Sequence, residues 1–149
     1  MLCGRSGTLS TAESCTGGMI AQRITSVPGA SRYYLGGFVT YSNDAKVRDL
    51  LVPLSLIERC GAVSGEVAAA MAEGAKDRTG SDYALAVTGI AGPEGGTKEK
   101  PVGLVWVAVA SGEKPVVTRR FEFQGQRETI RRDASEAALG MLMEILSPR

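Results

Sequence analysis

Strand-like and helix-like segments alternate along this chain, and the alternation limits its fold more than any single residue does. Residues 8–12 suit a short strand and residues 13–18 a polar turn. Residues 19–26 then read as a helix with Ile20, Ile24 and Val27 on one side, closed by Pro28-Gly29-Ala30. Aromatic and β-branched types make residues 35–41 a second strand. Ser42 and Asn43 are good caps for a helix through Leu51, and residues 54–60 form a short helix stopped by Gly61. Ser64 caps a helix over residues 65–79, with Val67, Met71 and Ala75 as its buried face. Residues 83–88 read as a buried strand and 89–102 as a long glycine-rich loop. Residues 103–110 and 116–123 pair as a hairpin. The longest helix, 126–146, repeats Ile130, Ala134, Ala137, Met141 and Ile145 at helical spacing. This order predicts an α/β fold: a three-layer α/β/α sandwich with a mixed, mostly parallel sheet. With no linker or repeat in 149 residues, residues 1–149 are expected to form one domain.

The chain contains no histidine. A Ser-His-Asp triad or a Cys-His dyad is thereby excluded within it, and the common zinc sites lose their main nitrogen ligand. Acid–base chemistry falls to Lys, Tyr, Asp or Glu, and a serine nucleophile in a chain without histidine points toward a lysine base. Cys3, Cys15 and Cys60 have neither ligand spacing nor a disulfide pattern, so no metal and a cytoplasmic location are expected. Net charge is +1, with no basic block, so no nucleic-acid partner is expected. The longest apolar run, residues 103–110, is too short to span a bilayer, and the first five residues lack a signal peptide's apolar stretch. No membrane partner is expected either.

Three segments carry candidate chemistry. Ala12-Glu13-Ser14-Cys15-Thr16-Gly17-Gly18 joins the first strand to the first helix. It puts Ser14 at the carboxyl edge of the sheet, where α/β folds build sites. Unpaired N–H groups at Thr16, Gly17 and Gly18 could hold an oxyanion or a phosphate; the same residue types also make an ordinary capped turn. Cys15 is a rival nucleophile, or simply a small buried hydrophobe. In Tyr41-Ser42-Asn43-Asp44-Ala45-Lys46, Lys46 falls in the first turn of a helix. There the helix dipole and partial burial would lower its pKa and let a neutral amine take a serine proton. The plain alternative is a solvated lysine. Thr88-Gly89-Ile90-Ala91-Gly92-Pro93-Glu94-Gly95-Gly96 follows another strand at the same edge, as a ligand loop or a connector, without Walker A spacing. Arg127, Arg131 and Arg132 open the last helix, as phosphate ligands or as a solvated face. Its end, with Met141, Leu142, Met143, Ile145 and Leu146, is more apolar than one small sheet needs, which predicts a homodimer.

Together with Gly61-Ala62-Val63-Ser64 and Lys100-Pro101-Val102-Gly103, these segments resemble the CinA C-terminal domain family, from about Thr8 to the last helix. The resemblance implies an α/β/α fold, no metal and no cofactor. It implies hydrolysis of the carboxamide of nicotinamide mononucleotide, giving the nicotinate nucleotide and ammonia. The family's serine, lysine and tyrosine match Ser14, Lys46 and Tyr41. On this reading neutral Lys46 activates Ser14 and Tyr41 relays or orients the proton. The nucleotide is expected among Thr16, Gly17, Gly18, Asn43, Thr88, Gly89, Gly92 and Arg131. Two other readings stay open: an amidase for a different nucleotide, and a non-catalytic nucleotide- or partner-binding module. Family members carry a helix before the first strand; here the few preceding residues include Gly4 and Gly7, so none is expected.

Overall fold

The computed structural model describes residues 7–147. Its strands are β1 (Leu9–Glu13), β2 (Tyr34–Val39), β3 (Tyr83–Gly89), β4 (Leu104–Ser111) and β5 (Val117–Glu122), in the sheet order β2-β1-β3-β4-β5. β1 pairs in parallel with β2 and β3, while β4 runs antiparallel between β3 and β5. Only β4 therefore opposes the common strand direction. The helices are α1 (Met19–Thr25), α2 (Asn43–Leu50), α3 (Leu54–Cys60), α4 (Gly65–Thr79) and α5 (Arg127–Leu146). They cover both sheet faces, which is the expected α/β/α sandwich on a mixed sheet.

The two faces are built differently, because side chains alternate across a strand. Towards α1 and α5 the sheet presents Leu9, Leu85, Val87, Val105, Val107 and Val109, against Ile20, Ile24, Ile130, Ala134 and Met141. Towards α4 it presents alanines, Ala12, Ala84, Ala86, Ala108 and Ala110, against Val67, Ala68, Met71, Ala72 and Ala75. Small residues on both partners let α4 lie close to the sheet. Gly37 on β2 has a related use: a Cβ there would strike Thr11 Oγ1 and Tyr34 Oη, which are hydrogen-bonded at 2.6 Å.

Several details differ from the sequence reading. α1 ends at Thr25, so Val27 lies beyond it and is half exposed rather than on its buried face. A short 3-10 turn, Ala30–Arg32, precedes β2. On α5, Ala138 takes the buried place expected of Ala137. Met141, Leu142 and Leu146 are all buried in the core, and Met143 is exposed. The apolar end of α5 is thus mostly covered within the chain and does not itself call for a partner. The expectation about a helix ahead of β1 concerns residues 1–6, which lie outside the described residues.

The connection leaving β1 passes through α1 to β2, on one side of β1. The connection leaving β3 passes to β4, on the other side. Such divergence opens a crevice at the carboxyl ends of the strands, the usual place for a ligand in an open α/β sheet.

Candidate active site

β1 delivers Ser14 to that crevice. Ser14 N–H donates to Val87 O at 3.0 Å, and Thr40 N–H donates to Glu13 O at 2.9 Å. The parallel pairing of β1 and β2 thus continues one step beyond β2 and sets Ser14 beside Thr40. Behind Ser14 the buried Glu13 carboxylate turns onto α1. It accepts from Thr16 Oγ1 at 2.7 Å, Ile20 N–H at 2.8 Å and Ala21 N–H at 3.0 Å. The start of α1 therefore already holds an anion belonging to the chain. Ile20 and Ala21 N–H are thereby taken, and they are not the Thr16, Gly17 and Gly18 N–H groups expected to meet an oxyanion or a phosphate. Gly17 and Gly18 have φ of 61° and 104°, conformations a side chain disfavours. They let the turn double back, with Gly17 N–H on Ser14 O at 3.1 Å.

α2 supplies the second group. Ser42 Oγ caps it by accepting from Ala45 N–H at 3.0 Å, and the first helical residue, Asn43, faces solvent. One turn in, Lys46 is 1% exposed, so it is not a solvated lysine. Its Nζ lies 3.0 Å from Ser14 Oγ and donates to Thr40 O at 2.9 Å. Among the described residues it has no ion-pair partner. Burial holds its pKa below the ordinary lysine value, with the nearby Cys15 sulfur acting weakly in the opposite direction. A counterion-free amine against a serine hydroxyl is the arrangement a neutral base requires.

Cys15 packs into the α1/α5 core, and burial pushes its thiol up to about 12. Gly89 is part of its wall, since a Cβ there would lie 3.1 Å from the sulfur. Thr88 is buried, with its hydroxyl donating to Ala62 O at 2.9 Å, so it ties β3 to the loop before α4. Thr88 and Gly89 lie at the carboxyl end of β3, with the Thr88 hydroxyl proton committed to Ala62 O.

Two arginines of α5 reach this region, four residues apart and on one face as their spacing implies. Arg127 donates through Nη1 to Gly92 O at 2.7 Å and through Nη2 to the exposed phenol of Tyr41 at 2.8 Å. Tyr41 is thus held to Arg127 and makes no hydrogen bond to Ser14 or Lys46 among the described residues. Arg131 donates through Nε to Cys15 O and through Nη2 to Thr16 O, both at 3.1 Å. Arg132 faces solvent beside Asp133. The loop after β3 is anchored at several points: Ile90 and Gly103 bond Leu104 and Ile90 in turn, and Lys100 Nζ donates to Cys60 O at 2.6 Å. It is a built wall of the crevice and not a loose connector.

Sequence reasoning missed Glu13, Thr40 and the distinct places of Arg127 and Arg131. Glu13 had a usable signal, an acidic residue just before a helix start. The Thr40 carbonyl had none. Among the described residues no group of three His, Cys, Asp or Glu side chains could hold a metal ion.

Comparison with known proteins agrees with this architecture. The CinA C-terminal domain family description matches residues 1–146. The chain belongs to the CinA C-terminal domain family. A CinA-like protein of Geotalea daltonii is 58% identical over 142 residues, covering 95% of this chain and 34% of that protein. A protein of Moorella thermoacetica described as a putative competence-damage inducible protein is 50% identical over 146 residues, covering 98% of this chain and 35% of its own length. The chain therefore spans about a third of the curated relatives it matches. Among solved structures, a competence/damage inducible protein of Agrobacterium tumefaciens superposes with TM-score 0.95 at 42% identity, over 98% of this chain and 89% of that one. A CinA superfamily protein of Escherichia coli gives TM-score 0.93 at 39% identity, over 97% and 84%.

Proposed function

We propose that this CinA-family domain is an amidase that converts nicotinamide mononucleotide to nicotinate mononucleotide and ammonia. The observation that carries the reading is the 3.0 Å approach of Lys46 Nζ to Ser14 Oγ, with the amine buried and without a counterion. Ser14 Oγ attacks the carboxamide carbon while its proton passes to neutral Lys46. The tetrahedral intermediate breaks its C–N bond, and the lysine returns the proton to the leaving ammonia. Water then attacks the acyl ester, giving its proton to Lys46, and the carboxylate leaves as Ser14 recovers its hydrogen. Thr40 O orients the amine by accepting one N–H. A module that only bound nucleotides or partners would have no use for such a pair. Ammonia release from nicotinamide mononucleotide by the purified protein, beside nicotinamide and NAD, tests the assignment; no release from the mononucleotide rejects it. Cys15 and Cys60 are free, which suits a reducing cytoplasm. Among the described residues no helix is long and apolar enough to cross a membrane.

We assign the phosphate to Arg127 and the Gly92 loop: Arg127 shares its guanidinium between Gly92 O and the exposed Tyr41 phenol, whereas Arg131 is committed to two carbonyls of the turn that follows Ser14. Contacts to that remote phosphate orient the amide for attack. The mononucleotide is therefore expected to exceed its riboside and free nicotinamide in kcat/KM by more than about tenfold, or 1.4 kcal/mol. Arg127→Ala should narrow the gap between nucleotide and riboside. Equal values for all three substrates would mean that no phosphate site contributes.

We also propose that the domain forms a homodimer, through β2. This edge strand and its flanks, from Tyr33 to Asn43, carry no charge and no proline, and Leu35, Val39 and Tyr41 are exposed. The opposite edge, β5, carries Arg119, Arg120 and Glu122, the usual protection of an unpaired edge. A neutral edge suits antiparallel pairing with its own copy across a two-fold axis. Sedimentation at micromolar concentration should give a dimer, and Leu35→Lys with Val39→Lys should give a monomer. A monomeric wild type refutes the proposal.

A further inference from the structure

One charged group at the site takes no part in the steps above. Arg131 comes from α5, on the sheet face opposite α2 and Lys46. Its guanidinium reaches the turn that follows Ser14 and holds two successive carbonyls, Cys15 O through Nε and Thr16 O through Nη2. A planar fork suits this two-point grip. Gly17 leaves room for it: a Cβ at that position would stand 3.1 Å from Nη2.

The grip fixes more than the carbonyls. In a trans peptide the C=O and the following N–H point in opposite directions. Drawing Thr16 O towards α5 turns Gly17 N–H away from it, and that N–H closes on Ser14 O at 3.1 Å. Drawing Cys15 O towards α5 likewise turns Thr16 N–H away from α5. Among the described residues nothing accepts from Thr16 N–H. Of the donors that follow in the turn, Gly17 N–H is on Ser14 O, Met19 N–H on Thr16 O, and Ile20 and Ala21 N–H on the Glu13 carboxylate. The Thr16 hydroxyl is bound to Glu13 as well, so the Cys15–Thr16 peptide is fixed from both sides.

We propose that Arg131 is a positioning residue: by holding the Cys15 and Thr16 carbonyls it presents Thr16 N–H as a donor to the oxyanion formed when Ser14 attacks. The proposal rests on the acyl-transfer reading of Ser14 but not on the identity of the nucleotide. A donor fixed in advance stabilises developing charge without reorganising during the reaction. Arg131 therefore acts on the chemical step and not on phosphate binding.

The experiment combines steady-state kinetics with labelling of Ser14 by an alkyl fluorophosphonate. In labelling, the Ser14 O–P bond forms, the P–F bond breaks and fluoride leaves, while Lys46 takes the proton and the phosphoryl oxygen enters the oxyanion position. Arg131→Met should lower kcat by about 10²–10³-fold, leave KM within about threefold, and lower kcat equally for nucleotide and riboside. It should slow labelling by a similar factor. Arg131→Lys, which cannot bridge two carbonyls as a fork, should be impaired in both assays. If Arg131→Met does not fold, Arg131→Lys and Gly17→Ala carry the test, and both should slow labelling. A raised KM for the nucleotide alone, or unimpaired labelling in Arg131→Lys, overturns the proposal. If the wild type releases no ammonia yet Ser14 is labelled and Arg131→Met slows it, the substrate is misassigned while the role of Arg131 stands. A wild-type Ser14 that resists labelling overturns both.

Discussion

Ser14→Ala is expected to lower kcat by about 10⁴-fold or more, while Cys15→Ala keeps most of the activity. The two side chains are neighbours in sequence but belong to different surroundings. Ser14 Oγ lies at the crevice, 3.0 Å from a lysine amine that can take its proton. Cys15 is turned into the α1/α5 core, where burial pushes its thiol up to about 12. A thiol raised that far stays protonated at neutral pH, whereas the thiolate is the form that attacks. Ser14→Ala removes one hydroxyl from a turn held by backbone bonds, Glu13 and Arg131, so its thermal unfolding should stay close to wild type. Ammonia release and a melting curve on both variants check this. An active Ser14→Ala beside an inactive Cys15→Ala would reverse the assignment.

Much of the fold can be read from the sequence because its elements carry clear local punctuation. Ser64 and Gly80 bracket α4, and the observed bounds of α3 and α4 are those expected from caps and glycines. Errors arise where local pattern and tertiary context part. Val27 fits the stripe of Ile20 and Ile24, but Pro28 and Gly29 follow too soon for the helix to reach it. Ala137 lies three residues after Ala134 and leads in steps of four to Met141 and Ile145, but the buried stripe of α5 steps by four through Ile130, Ala134, Ala138, Leu142 and Leu146, so a spacing that allows both three and four does not choose between Ala137 and Ala138.

The candidate site divides in the same way. Ser14 and Lys46 stand out as residue types in a chain without histidine, yet their contact spans 32 positions in sequence. No spacing rule predicts it. It follows from the register of β1 on β2, which sets Glu13 against Val39 and then Ser14 beside Thr40. The arginines were harder still. Arg127 and Arg131 share a helix face, but their partners are carbonyls of Gly92, Cys15 and Thr16, and backbone groups leave no mark in the sequence.

Lys46→Met should abolish turnover and at the same time stabilise the fold. The amine is nearly inaccessible, faces only Ser14 Oγ and a backbone carbonyl, and has no ion-pair partner among the described residues. Burial therefore holds its pKa below 10.5. The unfolded chain, with an ordinary lysine, binds the proton more readily than the folded one between the two pKa values. Stability consequently rises with pH across that window and is lost as pH falls through the folded value. Lys46→Met lacks this slope and removes the cost of burying the amine at neutral pH. A gain of about 1 kcal/mol is expected, the size typical when a strained functional residue is replaced. Activity follows the opposite logic. The base must be neutral, so wild-type kcat/KM should rise with pH through the depressed pKa and level off above it. Lys46→Arg keeps a long cationic side chain but cannot release a proton at working pH, and should lose about 10³-fold or more. Rate–pH profiles together with denaturant unfolding at two pH values separate these effects. A Lys46→Arg enzyme near the wild-type rate would remove the lysine from the mechanism. A Lys46→Met protein less stable than wild type would mean that the buried amine stabilises the fold and is not held at a cost for catalysis.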